Sequence, residues 1–208
     1  GARQVGWRPV VPHAVAEKVA IAQILAVVRA HDHEGILAQA HPIQAADGSI
    51  WWAGQFANLI GRLNPATGEM KEYPLPANAM PHTVELDSKG IPWYSGNKNG
   101  TVGKVDPATG KVTEYKMPDP NAKDPHTMVF DEKGIMWFTL QNSNMVGRLD
   151  PETGDIKLVT LSTPDSKPYG IKIDAEGVPW FSCNGRPCLY KIDPATMALT
   201  EFKLPLGG

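Results

Sequence analysis

A four-fold internal repeat constrains this chain more than any other feature. Trp51, Trp93, Trp137 and Trp180 recur at offsets of 42, 44 and 43 residues. Each is followed by a second aromatic (Trp52, Tyr94, Phe138, Phe181) and preceded three residues earlier by a glycine (Gly48, Gly90, Gly134, Gly177). Nine residues after each Trp stands an aliphatic side chain, Ile60, Val102, Val146 or Leu189. A turn closes each unit: Asn64-Pro65-Ala66-Thr67-Gly68, Asp106-Pro107-Ala108-Thr109-Gly110, Asp150-Pro151-Glu152-Thr153-Gly154 and Asp193-Pro194-Ala195-Thr196-Met197. Self-similarity at this period marks a repeat architecture, in which each unit buries its apolar face against the next.

Within one unit the pattern predicts four strands. In residues 81–118, strands are expected over 82–86, 91–95, 101–105 and 111–117. They are separated by the turn signals Asp87-Ser88-Lys89-Gly90, Asn97-Lys98-Asn99-Gly100 and Asp106-Pro107-Ala108-Thr109-Gly110. Gly 20 and Pro 19 together exceed one residue in six, which argues against a helical bundle. Four short antiparallel strands every 42 to 44 residues is the spacing of a β-propeller blade. The fold class is therefore all-β, a propeller with four recognisable four-stranded blades at about 42–80, 81–124, 125–167 and 168–205. The repeated Trp and its aromatic neighbour read as core between blades rather than as ligand contacts.

Residues 1–40 stand outside the repeat, which divides the chain into a leading segment, 1–40, and the blades, 41–208. Residues 14–30 have the pattern of an amphipathic helix, with Val15, Val19, Leu25 and Val28 among the apolar positions. His31-Asp32-His33-Glu34 follows, but two His two apart diverge on a helix or strand, so a solvated helix end is preferred to a metal site. The segment could dock on a propeller face, cover an open edge or be a leader. Three arrangements of the four blades are open: a small closed ring, two chains sharing an eight-bladed ring, or part of a longer propeller. The last is favoured. Open blade edges would invite self-association or association with another chain.

Composition excludes some partners. Twenty Lys+Arg against 22 Asp+Glu give a net charge of −2, no electrostatic case for nucleic acid. No apolar run approaches the length of a membrane span. Cys183 and Cys188 flank Asn184-Gly185, a turn signal, so a disulfide across a hairpin and two free thiols are both open. The chain begins at Gly1, and a periplasmic or secreted location is expected over a cytoplasmic one.

Equivalent positions in successive blades ring one mouth of a propeller. Eleven residues before the aligned Trp stand His82, His126 and Tyr169; the first unit has Ala40 there, with His41 one residue later. Histidine exchanges protons near neutral pH, so two in adjacent blades are candidates for acid–base work. Asp124, two residues before His126, could ligate a hard cation or orient an imidazole. Asn97, Gln141 and Asn184, at the ends of the second strands, are expected at the same mouth. The alternative is that the His residues only open inner strands and bond to neighbouring blades.

At these residues the chain resembles the streptogramin B lyase (virginiamycin B lyase) family. The resemblance rests on Pro81-His82-Thr83-Val84 with Trp93-Tyr94, Pro125-His126-Thr127-Met128 with Trp137-Phe138, and Pro168-Tyr169-Gly170-Ile171 with Trp180-Phe181. It covers about residues 42–205. It implies a seven-bladed ring, of which four blades are part, and a magnesium-assisted β-elimination that opens a cyclic depsipeptide antibiotic, the chemistry of an antibiotic-resistance lyase. A His takes the α-proton, which would be His126, and the metal stabilises the enolate. Substrate contacts would fall on His82, Asn97 and Tyr169, and the metal ligands on Asp124 and Gln141. The chain departs from the family in having Gln141 where a carboxylate is expected and Asn97 where an aromatic is expected. Three functions therefore stand side by side. One is a lyase of this type, and another is a non-catalytic propeller binding a small molecule, cyclic peptide or partner protein. The third, less supported, is a calcium-dependent lactone hydrolase of the related six-bladed class.

Overall fold

The computed structural model describes residues 42–204, and every regular element among them is a β-strand. Blade 1 comprises β1 (Ile43–Gln44), β2 (Ile50–Gly54), β3 (Leu59–Leu63) and β4 (Met70–Pro74). Blade 2 comprises β5 (Pro81–Leu86), β6 (Pro92–Gly96), β7 (Thr101–Val105) and β8 (Val112–Lys116). Blade 3 comprises β9 (Pro125–Phe130), β10 (Met136–Leu140), β11 (Met145–Leu149) and β12 (Ile156–Thr160). Blade 4 comprises β13 (Pro168–Ile173), β14 (Pro179–Cys183), β15 (Cys188–Ile192) and β16 (Leu199–Lys203). Each blade is an antiparallel meander whose strands pair in chain order. The first strands β1, β5, β9 and β13 lie side by side. The strands expected from sequence in blade 2 agree with these bounds to within one residue at each end. The fourth strand, for example, runs from Val112 to Lys116 where 111–117 was expected. The expected helix, the His31–Glu34 run, Ala40 and His41 lie outside the described residues.

The spacing of the repeat has a local cause. In the turn between the first two strands, Asp87 Oδ1 accepts the N–H groups of Lys89 and Ile91, both at 2.9 Å, while Oδ2 accepts the Trp93 indole N–H at 3.0 Å. Asp131 does the same for Trp137, and Asp174 for Trp180. Gly90, Gly134 and Gly177 close these turns at φ of 75°, 78° and 78°, a left-handed conformation costly for other residues. One carboxylate thus ties turn and core together, which is why glycine and tryptophan keep a fixed separation. Blade 1 breaks the rule. Ala45 occupies the aspartate's place, its N–H bonding Ser49 O and its carbonyl accepting Gly48 N–H, and the buried Trp51 Nε1 has no partner among the described residues.

The core lies between blades. Trp51, Ile60 and Tyr73 of blade 1 pack against Val84, Tyr94 and Val105 of blade 2. Trp93 and Val102 pack against Met128, Met136 and Phe138 of blade 3, and Trp137 and Val146 against Ile171, Phe181 and Tyr190 of blade 4. The three indoles are 2%, 0% and 1% exposed, which bears out their reading as inter-blade core. Trp180, on the outward side of blade 4, is only half-buried and stacks on the exposed Phe202. The close approach within a blade needs glycine: a Cβ at Gly103 would stand 2.4 Å from the Tyr94 ring. Among the described residues no helix is long and apolar enough to cross a membrane.

Cys183 and Cys188 form a disulfide, with Cα atoms 5.5 Å apart, so the hairpin reading holds. The bridge closes the β14–β15 loop, whose Asn184 and Gly185 amides bond the carbonyls of Lys167 and Ser166.

Candidate functional site

Each of β5, β9 and β13 enters its blade through a proline, and then the ladder slips. The β5–β6 register breaks between Pro81 and Val84, the β13–β14 register between Pro168 and Ile171, and the β9–β10 register between Phe138 and Leu140. A bulge re-aims side chains and leaves a backbone group without its ladder partner. Here a side-chain hydroxyl takes its place. Ser95 Oγ accepts Thr83 N–H at 3.0 Å and donates to the His126 carbonyl of the next blade at 2.7 Å. Thr83 Oγ1 donates to the same carbonyl at 2.8 Å. One blade further, Thr139 Oγ1 accepts Thr127 N–H at 3.3 Å and donates to the Tyr169 carbonyl at 2.8 Å.

These relays bring the three aligned residues together. The His82 and His126 rings lie 3.7 Å apart between centroids, tilted by 34°, and the Tyr169 ring lies 4.6 Å from His126. His126 is 6% exposed at the centre of the row, whereas Tyr169 is 39% exposed at its end. The imidazole Nδ1 atoms approach neighbouring hydroxyls, at 3.3 Å for His82 with Thr83 and 3.1 Å for His126 with Thr127. The row sets two imidazoles, groups able to exchange a proton, beside a phenol ring.

The other candidate residues take different places. Asn97 donates from Nδ2 to the Pro125 carbonyl at 3.2 Å and so ties blade 2 to the strand that carries His126. Asn184 lies in the disulfide loop. Asp124 is 8% exposed and fastens the loop after β10: its Oδ1 accepts Ser143 N–H at 3.0 Å and Ser143 Oγ–H at 2.5 Å, and its Oδ2 accepts Asn142 N–H at 2.5 Å. Leu140 pairs with Pro125, which sets Gln141 at the level of Asp124 just beyond the ladder. An open depression of about 540 Å³ lies at this end of the blades, lined by Met80, Asn97, Lys98, Lys123, Asp124 and Asn142 among others. Both oxygens of Asp124 are engaged, and among the described residues no three His, Cys, Asp or Glu side chains gather to hold a metal. By themselves Asp124, with both oxygens bonded to the loop, and the uncharged Gln141 do not make up a magnesium site among the described residues.

The sequence reading missed Thr83, Ser95 and Thr139. Their signal was a hydroxyl two residues after the aligned Trp, at Ser95, Thr139 and Ser182, and another just after each histidine, at Thr83 and Thr127. Away from the mouth, Glu85 faces the opposite side of β5 from the core residues Val84 and Leu86. Burial pushes its carboxyl up to about 7, against the pull of Lys172 on β13.

A model of the virginiamycin B lyase family matches residues 18–205. The chain belongs to that family. The match begins inside the leading segment that the repeat leaves outside the blades. Virginiamycin B lyase from Staphylococcus aureus is similar in structure, with a TM-score of 0.75 and 27% identity over 83% of this chain and 57% of that one. A catalytically inactive histidine-to-alanine variant of the same lyase with quinupristin gives a TM-score of 0.75 and 27% identity over 85% of this chain and 58% of that one. Hydrazine synthase of Kuenenia stuttgartiensis, 14% identical with a TM-score of 0.65 over 83% of this chain and 51% of that one, shares the fold alone. The chain thus spans a little over half the length of the lyases it resembles. No curated protein sequence matches it significantly.

Proposed function

We propose that the His82–His126–Tyr169 row is the reactive part of a lyase-type site, in which His126 removes an α-proton from a cyclic ester. In the β-elimination expected of the family, that proton passes to the imidazole and the C–H electron pair becomes the new carbon–carbon double bond. The β-carbon–oxygen bond breaks, and its electrons leave with the carboxylate. The ring opens with no water added. The contact of two imidazoles at 3.7 Å, with Tyr169 at 4.6 Å from the second, carries this reading. Burial of His126, and the two hydroxyls that hold its carbonyl, fix the base in one orientation, as proton abstraction requires. His82 and Tyr169 would flank the substrate, and Asn97 would keep blades 2 and 3 in register beside it. In the family, a bound magnesium ion would stabilise the enolate.

A second reading has an observation of its own. Asp124 spends its carboxylate on Asn142 and Ser143, and Gln141 brings no charge, so the mouth could bind a cyclic peptide or other small molecule without turning it over. Incubation with quinupristin, with and without magnesium, separates the two. Elimination shifts the chromatographic retention of quinupristin without changing its mass, whereas hydrolysis adds the mass of a water. Opening at unchanged mass, lost in His126→Ala, is the expected result. Turnover that survives His126→Ala would overturn the assignment of the base. Saturable binding with no product would leave the binding reading in possession of the site.

A further inference from the structure

Blade 4 fastens its mouth loop differently from blade 3. The loop after β10, residues 141–144, is held by the carboxylate of Asp124, which stands just before Pro125 and His126. In blade 4 the corresponding loop is 184–187, and Lys167 holds the place of Asp124 before Pro168 and Tyr169. With no carboxylate at that place, main-chain carbonyls accept instead: Asn184 N–H donates to Lys167 O at 2.9 Å and Gly185 N–H to Ser166 O at 3.0 Å. The link meets the loop with φ of 53° at Asp165 and 52° at Lys167. Lysine rarely adopts such left-handed values, which persist where the surroundings hold them. Gly185 comes so near that a Cβ there would stand 2.0 Å from Asp165 O.

The loop that holds this link is closed by the Cys183–Cys188 disulfide. The same two positions are Leu140 and Met145 in blade 3 and Gly96 and Thr101 in blade 2, so the bridge has no counterpart there. Cys183 pairs with Pro168, which sets the bridge at the start of the bulge that carries Tyr169. Tyr169 has less local support than the two histidines. Gly170 follows it where Thr83 and Thr127 follow His82 and His126, and it puts no hydroxyl beside the ring. Thr139 holds the Tyr169 carbonyl, and the entry through 165–168 is left to direct the ring.

We infer that the Cys183–Cys188 bridge is a redox lock on Tyr169. Closed, it keeps the loop amides on the link and the Tyr169 ring 4.6 Å from His126. Reduction by a dithiol opens it. A thiolate of the reductant attacks Cys183 Sγ, the less buried of the pair, and Cys188 leaves as a thiolate that takes up a proton. The second thiol of the reductant then displaces Cys183 and completes the reductant's own disulfide, so the cysteines gain two electrons and two protons. The strand ladder of blade 4 survives, because loops of equal length join the same strands in blades 2 and 3 without a bridge. The link relaxes from its left-handed form, and the Tyr169 ring leaves His126. If the mouth takes a ligand as proposed above, this opens one wall of it; the lock itself does not depend on that reading.

Nuclear Overhauser contacts between ring protons of the full chain test the lock with no ligand present. The oxidised protein should show both the His82–His126 and the His126–Tyr169 contact. Dithiothreitol should abolish the second and spare the first, which rests on blades 2 and 3, and reoxidation should restore it. Cys183→Ser should copy reduction without a reductant. Gly185→Ala keeps the bridge but not the close approach to Asp165 O, and should lose the Tyr169 contact as well. If Gly185→Ala does not fold, Cys183→Ser decides the matter alone. A His126–Tyr169 contact that survives reduction or persists in either folded variant would overturn the lock. So would loss of both contacts together on reduction, which would mean that the bridge supports the blades at large.

Discussion

Putting an aspartate at position 45 should repair the one turn in which the repeat fails. In blades 2 to 4 the aspartate there receives two backbone N–H groups and the indole N–H of the repeated tryptophan; in blade 1, Ala45 leaves Trp51 Nε1 buried without a partner. The backbone is already shaped for the substitution, because Ala45 makes the same pair of main-chain bonds as Asp87, Asp131 and Asp174. A buried unpaired donor costs about 1–3 kcal/mol, and a hydrogen bond to a charged group contributes about 1.5–3. Two effects oppose the gain. Asp47 already accepts Ser49 N–H at 2.9 Å, so one of the new bonds replaces an existing one, and a second carboxylate joins a turn whose carboxylate Asp47 is ion-paired, among the described residues, with Arg62. The net expectation for Ala45→Asp is a gain of about 1–2 kcal/mol, or about 2–8 °C in melting temperature for a chain of this length. Urea unfolding followed by circular dichroism measures it, and Trp51→Phe provides the control. With no indole N–H to satisfy, Ala45→Asp should gain little in that background. An equal gain in both backgrounds, or none in the parent, would refute the account of how the repeat couples its turns to its core.

Substitutions at two other positions probe the blades that carry the site. Glu85, whose carboxyl burial raises to about 7 from 4.5, keeps its proton in the folded state between those values while the unfolded chain loses it. Stability should therefore fall as pH rises from about 4.5 to 7, by on the order of 3 kcal/mol, and Glu85→Gln should flatten that part of the unfolding curve. Ser95→Ala should cost about 1–3 kcal/mol, because it strips a partner from both Thr83 N–H and the His126 carbonyl. Ser95→Thr, which copies blade 3, should restore both stability and ligand response at the mouth; failure of that rescue would show that the relay does not position His126.

The blades were legible in the sequence because their causes are local. A turn aspartate, a glycine able to adopt positive φ and a tryptophan six residues after the aspartate lie close enough in the chain for spacing alone to reveal them. Contacts between blades were not legible to the same degree. Ser95 and the His126 carbonyl are 31 residues apart, and nothing in either residue announces the other. The disulfide was undecided for a related reason: Asn184-Gly185 suggested a turn, but only the strands on either side bring Cys183 and Cys188 to 5.5 Å. Aligning His82, His126 and Tyr169 did predict that they share a mouth, since the repeat itself supplies the rotation. It could not predict that Asp124 bonds the loop behind it, because a carboxylate two residues before a histidine has the same sequence pattern whether it faces a cation or a main-chain amide.

The two parts of the mouth are held by separate means. The histidine row rests on hydroxyls of the first and second strands, Thr83, Ser95 and Thr139, all bonded to the main chain of the following blade. Asp124 and Gln141 lie just beyond the last pair of the β9–β10 ladder, beside His126, where one carboxylate receives three hydrogen bonds from the loop. Gln141 leaves its place in the mouth without a charge, and it makes none of the bonds that hold the His126 carbonyl. Conversely, loss of Ser95 would disturb His126 while leaving the Asp124 loop intact. The orientation of His126 and the charge at positions 124 and 141 can thus vary independently in this fold. On the proposed reading, a chain that keeps the first and not the second retains a shaped mouth, on which either proton transfer or simple binding can be built.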